Sequence, residues 1–111
     1  MPAQAGISLS IAIRLSDARG WTYIMANRPF GMTYVGVTAD LAARVWQHRR
    51  DSGSAYCRKY GIRTLVLAER HDDIESAIRR EKALKAWRAE WKHQLIADAN
   101  PEWRDLFDDI V

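Results

Sequence analysis

The chain has 111 residues, 48% of them hydrophobic and 28% charged, with one cysteine and a formal net charge of +3. That length is enough for one domain with a modest core. A single cysteine excludes an internal disulfide and a cysteine-based zinc site, and no apolar run approaches the roughly 18 residues of a membrane span, so a soluble cytoplasmic protein without a secretory leader is expected.

Residues 1–20 alternate Ile7, Leu9, Ile11, Ile13 and Leu15 with smaller or polar side chains, a strand pattern. They are set apart as an N-terminal extension, and residues 21–111 as the domain. Residues 21–27 and 33–37 read as two antiparallel strands. The turn between them contains Pro29, which presets φ, and Gly31, which supplies an unusual φ. A symmetric hairpin centred between Arg28 and Pro29 sets Tyr23 opposite Tyr34 on one side of the sheet.

Thr38 or Asp40 offers the cap of a helix over about residues 41–50. Leu41, Arg44, Val45 and His48 recur at helical spacing, so a guanidinium and an imidazole share the face turned toward the sheet. A polar loop follows, and then a basic loop that interleaves Tyr56, Arg58, Lys59 and Tyr60. Residues 64–69 are a nearly continuous apolar run, as expected of a central strand covered on both faces. A long helix opens at residues 71–73 with Asp72 or Asp73 as cap, and a break is expected near Trp87. Glu81 lies four residues from Ala77 and three from both Ile78 and Leu84, inside the buried stripe. An unpaired carboxylate there is costly, so it needs a cation, a metal or a proton. An ion pair with Arg44 or Arg80 is the purely structural reading. Asn100 reads by default as the cap of a last helix over about residues 102–109, with Pro101 in its first turn.

The order β-β-α-β-α-α predicts an α+β fold: a small antiparallel three-stranded sheet flanked by helices. Between residues 44 and 63 there are six bases (Arg44, Arg49, Arg50, Arg58, Lys59, Arg63) and one acid, Asp51. The tail reverses this, with Asp98, Glu102, Asp105, Asp108 and Asp109 against Arg104. This suggests one face for a polyanion and an acidic one turned away from it. Arg49, Arg58 and Lys59 are the candidate nucleic-acid contacts. Trp87, Trp91 and Trp103 have a helical spacing that favours core packing over base stacking.

These elements resemble the GIY-YIG nuclease domain, in particular its small stand-alone bacterial, UvrC-like (URI-type) members. Trp21-Thr22-Tyr23 stands where the family has Gly-Ile-Tyr, and Tyr34-Val35-Gly36 where it has Tyr-Ile-Gly. Arg44 matches the helix arginine, with His48 one turn on. Residues 79–92 resemble the signature around the family's metal-binding glutamate, and residues 100–103 its closing asparagine motif. The first element keeps only its tyrosine, and residues 1–20 lie outside the pattern.

The resemblance implies an endonuclease that hydrolyses DNA phosphodiesters with low sequence specificity, in repair or recombination. Glu81 would hold one divalent ion, Mg²⁺ or Mn²⁺. Tyr23 would act as general base, its pKa brought down by adjacent cations, and Arg44 would grip the phosphate. Tyr34 would orient water or phosphate, and His48 would position Tyr23 or relay its proton. Gly36 and Asn100 would support the site, Asn100 by orienting the phosphate or Glu81. The alternative is a nucleic-acid-binding domain with weak or no catalysis.

Overall fold

The computed structural model describes residues 19–50 and 54–110. The expected N-terminal extension lies outside them apart from Arg19 and Gly20. The elements in chain order are β1 (Gly20–Ala26), β2 (Thr33–Thr38), α1 (Leu41–Arg49), α2 (Ala55–Tyr60), β3 (Thr64–His71), α3 (Ile74–Ala86), α4 (Ala89–Ala99) and α5 (Phe107–Ile110). The sheet is antiparallel with strand order β2-β1-β3, so the architecture is the α+β arrangement read from the sequence. Among the described residues no helix is long and apolar enough to cross a membrane.

The central strand is β1, not β3 as its apolar run had suggested. Thr22 to Ala26 are all fully buried. Alternation then divides the core. Tyr23 and Met25 pack with Leu41, Val45, Cys57, Ile62 and Leu65 on one face. Ile24 and Ala26 pack with Val35, Leu84, Ile96 and Trp103 on the other. At the sheet edge, Leu65 to Leu67 of β3 are buried, and the C-terminal segment covers the strand at Leu65. The Leu106 amide donates to the Leu65 carbonyl at 2.8 Å, and Asp105 Oδ1 accepts from the Leu65 amide at 3.4 Å. Backbone groups that an edge strand would leave open are thereby satisfied.

The hairpin register departs from the symmetric one. Tyr23 pairs with Gly36, and Tyr34 with Met25, so the tyrosines are diagonal neighbours on the same face. The cause lies in the turn. Phe30, not Gly31, takes the left-handed conformation, with φ +57°. Its ring packs 4.8 Å from Trp103 and 5.6 Å from His93, whose Nε2 donates to the Gly31 carbonyl at 2.9 Å. Trp103 is the other described non-glycine residue with positive φ, at +53°. Two strained turns therefore meet through their side chains, and ring contact offsets a backbone cost of order 1–3 kcal/mol at each.

Local chemistry explains the remaining boundaries. Asp40 caps α1 by accepting from the Ala43 amide at 3.1 Å, while Thr38 Oγ1 accepts from the Asp40 amide. The basic segment read as a loop is the helix α2, set between the Ser54 N-cap and Gly61 at φ +66°. His71 extends β3 rather than opening a helix, and Asp73 caps α3 through the Ser76 amide at 2.7 Å. The helical run does break at Trp87, because Trp87 and Arg88 are both extended. The final helix is shorter than expected, and Asn100 ends α4 instead of capping α5.

Candidate active site

Tyr23 of β1, Tyr34 of β2 and His48 of α1 meet on the α1 face of the sheet. The Tyr23 hydroxyl lies 3.2 Å from His48 Nε2. The Tyr23 and Tyr34 ring centroids are 6.4 Å apart, and Tyr34 meets the imidazole edge-on at 5.2 Å. Gly36 makes this packing possible. A Cβ there would lie 2.5 Å from Tyr23 Cζ and from its hydroxyl oxygen, so the ring occupies the space that any larger residue would fill.

His48 reaches the sheet because it shares the buried stripe of α1 with Leu41 and Val45. It is 4% exposed, and its Nδ1 is buried without a partner. Such an atom is a vacant hydrogen-bonding position of the kind that native cores rarely leave. Arg44, one turn earlier, sets its charge beside both groups. Burial pushes the Tyr23 phenol up to about 12, the neighbouring Tyr34 adds to this, and Arg44 pulls the other way without prevailing. Burial also lowers the His48 pKa, and the Arg44 charge adds to that fall. The resting pair is thus a neutral phenol beside a neutral imidazole, whereas adjacent cations had been expected to bring the phenol down.

Glu81 comes from elsewhere. It lies on α3, which packs across β1, β2 and β3. Its inner stripe faces the opposite side from the tyrosines, since Leu84 belongs to the other core and the Ala77 carbonyl accepts from Thr22 Oγ1 at 2.8 Å. The carboxylate side chain is 13% exposed, and its ion-pair partner is Lys85 at 2.6 Å. Arg80, weighed from the sequence as that partner, instead makes a two-pronged pair with Glu69 at 2.8 and 3.1 Å and lies over Trp87. Lys85 was missed, although its i,i+4 spacing from Glu81 was visible. Among the described residues no three His, Cys, Asp or Glu cluster for a metal. A carboxylate whose ion-pair partner is an exposed ammonium suits an ion such as Mg²⁺, which keeps several waters.

Three further expectations meet different surroundings. The Asn100 amide is committed to main chain: Nδ2 donates to the Val66 and Arg104 carbonyls at 3.1 and 2.9 Å, and Oδ1 accepts from the Arg104 amide at 3.2 Å. It ties the C-terminal turn to β3 and has no bond to Glu81. Arg49 pairs with Asp105 at 2.7 Å and covers the Phe107 ring, so the acidic tail folds onto the basic helix instead of turning away. Arg58 and Lys59 lie on α2, where Lys59 sits over Tyr60. Of the tryptophans, Trp103 is buried, Trp91 is 53% exposed, and Trp46, not singled out before, is 52% exposed.

Comparison with known proteins agrees with this architecture. The GIY-YIG catalytic domain family matches residues 19–94. A UPF0213 protein of Yersinia pestis (strain Pestoides F) is 31% identical over 78 residues, covering 70% of this chain and 82% of that protein. A UPF0213 protein of Cronobacter sakazakii (strain ATCC BAA-894) is 32% identical over 77 residues, covering 69% and 81%. No solved structure matches the chain.

Proposed function

Since this chain belongs to the GIY-YIG family, whose nucleases act on DNA and generally use a divalent metal, we propose that it is a metal-dependent endonuclease of the cytoplasm. It hydrolyses DNA phosphodiesters with low intrinsic sequence specificity. The observation that carries this reading is the meeting of Tyr23, Tyr34, His48 and Arg44 from three separate elements.

Tyr23 takes the proton of the attacking water after passing its own to His48 Nε2. Two features support that order. The imidazole is kept neutral, and its Nε2 faces the phenol at 3.2 Å, in place to take that proton and hold it. Arg44 holds the non-bridging phosphate oxygens and favours the phenolate once it forms. Tyr34 orients the water or the phosphate. Glu81, on α3, would hold the Mg²⁺ or Mn²⁺ ion. The metal, when bound, neutralises charge on the phosphate. Repair or recombination intermediates are the proposed substrates.

The burial of Tyr23 also favours a second reading, nucleic-acid binding without turnover. Cleavage of plasmid and branched DNA in Mg²⁺ separates the two. Tyr23→Phe and Glu81→Ala are each expected to cut at least about a hundredfold more slowly than wild type. Cutting unchanged from wild type in both variants would rule the nuclease site out, and salt-sensitive binding with no metal-dependent cutting would favour the second reading.

A further inference from the structure

We infer that Lys85 is the resident counter-ion of Glu81, holding the carboxylate in place until a divalent cation displaces it. This rests on Glu81 being the metal ligand. The Glu81 side chain is 13% exposed, and a carboxylate so far removed from water needs a cation whether or not metal is present. Lys85 supplies one at 2.6 Å from the next turn of the same helix. The lysine side chain is itself 54% exposed, so releasing its ammonium to water costs little.

The two arginines that the sequence offered as partners are placed differently. Arg80 is held by both oxygens of Glu69 and by the Trp87 ring, with 22% of its side chain exposed. Arg44 acts on Tyr23 and His48. Lys85 is therefore the cation built to leave. A divalent ion on the carboxylate repels the ammonium, and the two exchange. The carboxylate is paired before and after the exchange. The exchange also weakens metal binding in the free protein. The ion then binds best when a substrate phosphate adds its own oxygens, which couples metal loading to DNA.

The test is Mn²⁺ binding to the full chain without DNA, followed by electron paramagnetic resonance and calorimetry. Lys85→Met is expected to bind Mn²⁺ about fivefold more tightly than wild type, the size of a strong half-exposed ion pair. Lys85→Arg, which keeps a cation, is expected to stay near wild type. Without metal, Lys85→Met should also melt at a lower temperature than wild type, and added Mn²⁺ should close that gap. Unchanged or weaker Mn²⁺ binding by Lys85→Met overturns the inference while leaving Glu81 as ligand. Wild-type affinity in Glu81→Gln overturns the metal role of Glu81 itself. Absence of binding in both wild type and Lys85→Met overturns both.

Discussion

The two faces of the sheet bury polar side chains to similar depth and treat them in opposite ways. On the α4 face, Asn100 is 5% exposed and makes three hydrogen bonds to main chain. On the α1 face, His48 is 4% exposed and leaves Nδ1 unpartnered. A buried amide with all its bonds made stabilises the chain; an imidazole with one bond missing costs stability and keeps a position open for chemistry. The contrast has one blemish. Trp103 Nε1, on the first face, is also buried without a partner, where the ring is held between Phe30 and His93.

Substitutions and titrations probe that contrast. The broadest effect, on stability and cutting together, is expected from Gly36→Ala. Its methyl must displace the Tyr23 ring, at about 1–3 kcal/mol of stability in urea unfolding, and DNA cutting should fall with it. A variant that unfolds like wild type would mean that the ring is not confined as described. Asn100→Ala is expected to cost about 2–3 kcal/mol, with cutting per folded molecule unchanged. Lost activity in the folded variant would return Asn100 to the site.

Next comes pH. The folded pKa of Tyr23 is about 12, above its usual 10.0, so its contribution to stability is intact below pH 10 and is lost as pH rises from 10 toward 12. Of the four tyrosines, one should ionise late in ultraviolet titration, and Tyr23→Phe should remove that late step. His48 works in reverse. Its folded pKa is depressed, so its contribution is complete above about 6.5 and is lost as pH falls through the folded value. The smallest effect is expected from Arg49→Ala, under about 1 kcal/mol, because its pair with Asp105 is one-third exposed. A large drop in DNA affinity instead would restore Arg49 as a phosphate contact.

Much of this was legible in the residues. The α1 stripe fixed where His48 would point, because helical periodicity is local, and Ala77 and Leu84 identified the stripe that holds Glu81. What escaped depended on distant partners. The tyrosine register turned on Phe30 adopting a conformation that the sequence offered to Gly31, and only its contacts with Trp103 and His93 explain that choice. The central position went to β1 because residues 105–106 seal β3, a pairing across some 40 positions. Arg49 and Asp105 looked like opposite poles in a count of charges, which carries no information about which side chains meet. For the site, the residue types and their order were readable, but the burial that keeps Tyr23 protonated was not.

The seal on β3 also bears on self-association. A sheet joins its copies through free borders, and growth into a filament requires two of them on each molecule. With Leu65 bonded to Leu106 and Asp105, β3 is closed to such pairing at its Leu65 end. A second copy cannot add a strand there without first displacing residues 105–106.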